Sequence, residues 1–249
     1  MGIIEASSPP RRVLVTGAGS GIGAAVMAHQ VASGDSVVGV DVQGGCELVR
    51  ADLSTRAGNI EAVLEAIGRL GGLDAIVACA GLQNVQPIEQ FDEDRWDELL
   101  AVMLTSPFVL ARHAWPALAT SGRGRFIVLG SAHGLVASPF KAAYVAAKHG
   151  VMGLVKTLAL EGAEHGIGAV VVSPGYVRTP LVQKQIAAQG AAHGIDADAV
   201  LEQVVLAPHA VKRLIEPEEV AEVVSFALGP AGLTLTGTSL TMGMGWTAR

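Results

Sequence analysis

Residues 13–23 read Val13-Leu14-Val15-Thr16-Gly17-Ala18-Gly19-Ser20-Gly21-Ile22-Gly23, an apolar run that enters a glycine-rich loop and leaves it in a helical pattern. Glycines in such a loop permit a tight turn, let the backbone approach a pyrophosphate and let the following helix pack closely on the strand. The helix N-terminus then supplies amides and positive dipole to the phosphates. A glycine-rich loop alone is an ordinary turn; placed between a strand and a helix, it points to nucleotide binding.

The next apolar strand, Ser36 to Val40, ends in Asp41, about 20 residues beyond the loop, where a dinucleotide fingerprint places an acid. A carboxylate there accepts hydrogen bonds from a ribose diol and repels a 2′-phosphate. The loop holds no Arg or Lys, and Val42 rather than a basic residue follows Asp41. NAD is therefore expected in preference to NADP.

Outward from this point, strands are expected at 12–16, 36–41, 73–78, 125–130 and 169–173. Helices are expected at 22–33, 58–70 and 92–119 and around Tyr144, with another starting near Pro217. Short strands that are apolar at nearly every position, separated by helices, indicate a parallel sheet covered on both faces. The reading is α/β: a Rossmann-type doubly wound sheet with helices on both faces, in a single domain spanning 1–249. No Pro/Ser-rich linker, charge block or repeat divides the chain. Ligands of such sheets lie at the carboxyl ends of the strands, where Gly17, Asp41, Ala80, Ser131 and Pro174 all fall. The stretch from about 180 to 215 is helical in pattern and inserted at that edge, as a substrate lid would be.

The segment 131–148, SAHGLVASPFKAAYVAAK, supplies candidate chemistry. Tyr144 and Lys148 are four apart, on one face of a helix, where an ammonium would favour a tyrosinate and lower a phenol pKa of ordinarily about 10. Ser131 opens the carboxyl end of the run Phe126 to Leu129, where a hydroxyl could hold a substrate oxygen beside the phenol. His133 and Lys141 flank these groups with basic side chains, which suits an anionic substrate.

The chain has 249 residues, half of them hydrophobic and 4% aromatic, enough for a large aliphatic core. With 17 Lys and Arg against 23 Asp and Glu, a net charge of −6 gives no electrostatic case for nucleic acid or an anionic membrane. The apolar runs are too short to span a bilayer and the first ten residues do not read as a signal peptide, so a cytoplasmic protein is expected. Cys46 and Cys79 lack metal-ligand spacing and read as free thiols; no metal is expected. His113, His149 and His165 read as structural.

Thr16 to Gly23, Asp52-Leu53, Ala80-Gly81, Ser131, Tyr144, Lys148 and Pro174-Gly175 together resemble the short-chain dehydrogenase/reductase superfamily. The resemblance implies Tyr144 as general acid/base, Ser131 orienting the substrate oxygen, and Lys148 holding the nicotinamide ribose. It also implies a cofactor site made by Thr16, Gly17, Gly19, Ser20, Gly21, Ile22, Gly23, Asp41, Asp52, Leu53, Ala80, Gly81, Tyr144, Lys148, Pro174, Gly175, Val177 and Thr179. The stretches 80–83, 131–136, 141–150 and 174–186 are in addition similar to bacterial D-3-hydroxybutyrate dehydrogenases. That narrower resemblance implies a substrate carboxylate held by Gln83, His133, Lys141 and Gln185, with Trp246 and Tyr176 on the pocket wall. Tyr176 stands where that family has tryptophan. A homotetramer is implied by the resemblance alone.

Three departures from the superfamily pattern stand out, bearing in turn on proton release, on the adenosine side of the cofactor site and on the region many relatives use for tetramer contacts. Met103 falls where the superfamily usually has an asparagine that holds a water linking the lysine to solvent, and a thioether is a poor substitute. Ala78-Cys79-Ala80-Gly81 replaces Asn-Asn-Ala-Gly, and Gly243-Met244-Gly245 replaces Asp-Gly-Gly. The sequence thus predicts a reversible NAD-dependent oxidation of a small hydroxy acid, with reduced rather than absent turnover. The competing readings are a dehydrogenase of another secondary alcohol or hydroxy acid, and an NAD(H)-binding protein with little catalysis.

Overall fold

The computed structural model describes residues 9–45 and 47–248; Cys46 lies outside them, as do residues 1–8 of the expected single domain. The strands are β1 (Arg12–Thr16), β2 (Ser36–Asp41), β3 (Leu48–Arg50), β4 (Ala75–Ala78), β5 (Arg125–Leu129), β6 (Gly168–Pro174) and β7 (Ser239–Met242). They form one sheet in the order β3-β2-β1-β4-β5-β6-β7, parallel at every pairing. The helices are α1 (Gly21–Ala32), α2 (Arg56–Leu70), α3 (Glu93–Leu100), α4 (Ser106–Ser121), α5 (Ala142–Gly162), α6 (Pro180–His193), α7 (Ala197–Val200), α8 (Pro217–Leu228) and α9 (Ala231–Thr234). Among the described residues no helix is long and apolar enough to cross a membrane.

Alternation of side chains along each strand divides the core in two. Leu14, Ile76, Phe126, Val128 and Val171 pack on one face with α2, α4 and α5, while Val13, Val15, Val77, Ile127, Val170 and Val172 meet α1 and α8 on the other. Every residue of β4, β5 and β6 is buried, as expected of central parallel strands.

Two strands and one helix depart from the sequence expectation. Strand β3 is only three residues long, and β7 includes Ser239 and Thr241 in a partly exposed edge, so neither shows the apolar run of a central strand. The long helix expected over 92–119 keeps its course but contains a π turn at Ala101–Thr105, around Met103. A second π turn, Leu201–Val205, follows α7 in the segment expected to be a lid.

At the amino ends of the strands, away from the nucleotide loop, Asp74 is almost fully buried and accepts from Arg12 at 2.7 Å and Arg123 at 2.9 Å. Arg123 also donates to the carbonyls of Pro9 and Pro10, pinning the segment that leads into β1. These guanidinium contacts outweigh burial and hold the Asp74 carboxyl down to about 2.

Candidate active site

The nucleotide side of the site begins where β1 ends. Gly17 has a φ of +65°, and a Cβ there would stand 2.9 Å from the Ala80 backbone. A Cβ on Gly23 would lie 2.1 Å from the Gly17 carbonyl oxygen, so only glycine lets α1 start this close to the loop. Ser20 precedes α1 in extended conformation without a side-chain cap, whereas Thr55 and Asp92 cap α2 and α3. The first amides of α1 are thus left for an anionic ligand. Asp41 Oδ2 accepts from the Gly19 amide at 3.1 Å and Oδ1 from that of Gln43 at 3.1 Å, which holds the carboxylate at the loop.

A cavity of about 260 Å³ lies over this loop, lined by Gly17, Ser20, Gly21, Ile22, Gly23, Asp41, Asp52, Leu53, Ala80, Gly81 and Thr179. Uncapped helix amides, a carboxylate held at the loop and an open floor of glycines fit a dinucleotide. Thr16 and Gly19 are not on the wall of this cavity: Thr16 Oγ1 accepts from the amides of Cys79 and Ala80, and Gly19 ties the loop to Asp41. Val42, Ser54 and Leu181 also face the cavity and were not anticipated.

Next to it is a tighter cavity of about 100 Å³, lined by Gln83, Ser131, His133, Lys141, Tyr144, Lys148, Pro174, Gly175, Tyr176, Val177, Gln185 and Trp246. Ile22, Cys79, Gly81, Thr179 and Leu181 border both cavities, so nucleotide and substrate sides adjoin. All seven residues expected at the substrate thus share one chamber, and the three expected to carry the chemistry are among its walls.

The electrostatics correct two expectations. Burial raises the Tyr144 phenol above its ordinary pKa, and the polar Ser131 side chain only partly offsets that rise. The Lys148 ammonium lies 5.5 Å from the Tyr144 ring centroid, donates to the Leu129 carbonyl at 2.6 Å, and is itself pulled down to about 8 by burial. His133 is not a cation. Burial together with the charge of Lys141 pushes its pKa down to about 3, so it is a neutral hydrogen-bonding group at physiological pH. Its two ring nitrogens already face Ser131 Oγ at 3.5 Å and Ser138 Oγ at 3.0 Å.

Lys141 is therefore the cation of the substrate side. It is brought inward by Phe140, whose φ of +67° is strained for a bulky residue and costs on the order of 1–3 kcal/mol. Its ammonium donates to Tyr176 Oη at 2.8 Å and Gln185 Oε1 at 3.4 Å. None of the ion pairs among the described residues involves it, and burial lowers it to about 8. Tyr176 stacks flat on Trp246, with ring centroids 5.5 Å apart, and His133 meets Trp246 edge-on at 4.9 Å.

Met103 is buried against Leu99, Ala143 and Ala147, and its thioether offers no strong hydrogen bond. Cys79 is a free thiol whose pKa burial raises to about 12, so it presents neither thiolate nor amide. Ser138 and Gln189 were missed. Gln189 stands four residues after Gln185 on α6, a spacing that shares a helix face, whereas nothing in the sequence marks Ser138. Among the described residues no cluster of His, Cys, Asp and Glu could hold a metal.

A glycine-loop nucleotide cavity that opens into a chamber walled by serine, tyrosine and lysine is the machinery of an oxidoreductase using a nicotinamide nucleotide. Residues 11–190 match the family model of short chain dehydrogenases, and the chain belongs to that family. It is 39% identical to the D-beta-hydroxybutyrate dehydrogenase of Rhizobium meliloti (strain 1021), covering 96% of this chain and 99% of that protein. To the D-beta-hydroxybutyrate dehydrogenase of Cupriavidus necator it is 35% identical, covering 96% and 98%. A more distant relative is the cis-4-hydroxycyclohexanecarboxylate dehydrogenase of Sinomonas cyclohexanicum, 32% identical over 96% of this chain and 97% of that one. Among solved structures, the ligand-free aldohexose dehydrogenase of Thermoplasma acidophilum superposes with a TM-score of 0.86 at 26% identity, covering 95% of this chain and 94% of that one.

Proposed function

We propose that this chain is an NAD-dependent dehydrogenase that interconverts D-3-hydroxybutyrate and acetoacetate. The observation that carries the reading is Lys141, a buried ammonium with no carboxylate partner among the described residues, in the same small chamber as Ser131 and Tyr144. A buried charge of this kind is stabilised by an anion of opposite sign, and a short hydroxy acid brings one. Gln83 and Gln185 add amide groups on the same walls.

In oxidation, Tyr144 as phenolate takes the hydroxyl proton of the substrate while Ser131 donates a hydrogen bond to the substrate oxygen. Lys141, with Gln185, holds the carboxylate and so fixes which face of the carbinol carbon is presented. A nicotinamide nucleotide held over the glycine loop would supply the acceptor for the hydride of that carbon. Asp41 supports NAD over NADP, because its carboxylate would meet a 2′-phosphate at the loop. A homotetramer belongs to the same reading, and a solution mass four times that of the chain would support it.

The test is NADH formation with D-3-hydroxybutyrate, its L-enantiomer, a simple secondary alcohol and NADP as the alternative oxidant. Selective turnover of the D-acid with NAD supports the reading; equal turnover of the uncharged alcohol sinks the role of Lys141.

One observation favours a second reading, a longer hydroxy acid. Beyond Lys141 and Tyr176 lies a more open chamber of about 530 Å³, bordered by Ser138, Gln189 and Trp246. Turnover that improves as the carboxylate is moved further from the carbinol would select it.

A further inference from the structure

Tyr144 must lose the proton it gains in each oxidation, and it is half-buried on the wall of the inner chamber. Lys148 donates to the Leu129 carbonyl at 2.6 Å, and the thioether of Met103, whose sulfur would stand 3.8 Å from a Cβ on Gly81, cannot relay a proton. A different run of groups does lead outward. Ser131 and Tyr144 wall the same inner chamber, Ser131 Oγ accepts from the His133 amide at 3.1 Å and faces His133 Nδ1 at 3.5 Å, and His133 Nε2 faces Ser138 Oγ at 3.0 Å. Ser138 is half-buried and borders the open chamber behind Lys141 and Tyr176.

We propose that Ser131, His133 and Ser138 form the proton exit of Tyr144, leading from the phenol oxygen to the solvent-facing chamber behind Lys141. Every member can donate and accept at once. Each hydroxyl carries one hydrogen and two lone pairs, and a neutral imidazole carries one N–H and one bare nitrogen. His133 is held neutral by its buried place beside Lys141, which leaves one ring nitrogen free to accept as the other gives. The Ser131–His133 separation is long, as catalytic hydrogen bonds in ligand-free enzymes commonly are before they tighten.

The step balances as one proton moved. After the ketone leaves, the Tyr144 O–H proton passes to Ser131 Oγ as the Ser131 proton passes to His133 Nδ1. The Nε2 proton passes to Ser138, and the Ser138 proton goes to a water of the chamber. Tyr144 is left as phenolate, and His133 has exchanged one tautomer for the other. In reduction the same run operates inward. His133 and Ser138 are positioning residues in this scheme, since neither needs to touch the reacting carbon.

The inference rests on Tyr144 acting as the acid/base, so Tyr144→Phe is the first control; if that variant keeps its rate, the underlying reading falls and the exit with it. Given its loss, Ser138→Ala is measured with NAD and D-3-hydroxybutyrate. The expected result is a kcat lower by about tenfold, smaller than the loss on removing the acid/base itself, with KM nearly unchanged and a larger solvent deuterium isotope effect. Free imidazole buffer should restore the rate, and Ser138→Thr, which keeps the hydroxyl, should retain it. An unchanged kcat, or a loss that buffer does not relieve and Ser138→Thr shares, overturns the proposal. If the protein oxidises no D-3-hydroxybutyrate, the ¹⁵N resonances of the His133 ring decide it. Averaged tautomers that collapse to one in Ser138→Ala support the exit, and a single tautomer common to both proteins overturns it.

Discussion

Lys141 Nζ donates to the phenol oxygen of Tyr176 at 2.8 Å, so a neutral hydroxyl occupies the position beside a buried ammonium where a carboxylate would be expected. Burial lowers Lys141 to about 8, and the chamber is therefore cationic below that pH and neutral above it. We expect the KM for D-3-hydroxybutyrate to rise as pH climbs through about 8, while kcat for oxidation rises with pH because Tyr144 must ionise. Lys141→Gln should flatten the KM profile and raise KM by roughly 10- to 100-fold, the loss expected for a hydrogen bond to a charged group. A KM that ignores both pH and this substitution would place the carboxylate elsewhere.

Tyr144→Phe removes the oxygen proposed to take the substrate proton without changing the ring. A fall in kcat by about 10²- to 10⁴-fold is expected, with NADH affinity by calorimetry nearly intact. A comparable loss of NADH affinity would show that the phenol serves binding more than chemistry.

On the proposed reading Asp41 has two tasks that a substitution would disturb together. Asp41→Ala should weaken NAD binding and relax the discrimination against NADP, and it should also release the Gly19 amide from its 3.1 Å partner. Calorimetric titration with both nucleotides reads this directly; unchanged selectivity would mean that the carboxylate does not face the ribose.

Asp74 links stability to acid pH. Its folded-state pKa, about 2, lies below the ordinary 3.8, so its contribution is present above about 4 and is lost as pH falls from there towards 2. The size is on the order of 2 kcal/mol. Acid unfolding followed by circular dichroism should shift to higher pH midpoints, and lose cooperativity with Arg12 and Arg123, when Asp74 is replaced by Asn.

Much of the fold was legible because the central strands are apolar at every position and the glycine loop stands between strand and helix. Strand β3, with only Leu48, Val49 and Arg50, was not legible: it pairs as an edge and needs no apolar run. The π turn around Met103 has no composition of its own, since Ala101 to Thr105 reads as ordinary helix. Spacing pointed to Ser131, His133, Lys141, Tyr144 and Lys148, and the family resemblance added Gln83, Tyr176, Gln185 and Trp246; all seven residues expected at the substrate line one chamber. Charge was not legible. His133 reads as a base from its type, yet it becomes neutral only through burial and the nearby Lys141, both products of tertiary packing. Ser138 gains its place from the loop that folds it back onto His133, a contact between residues five apart that no periodicity marks.

The flat stack of Trp246 on Tyr176 sets an indole against the one wall of the chamber that Lys141 and His133 share. Trp96 instead meets Phe91, and Trp115 meets His165, on other parts of the molecule. Indole emission from Trp246 is consequently the signal most exposed to what enters the chamber. The protein carries its own optical reporter, so occupancy by an acid could be followed in the absence of any turnover.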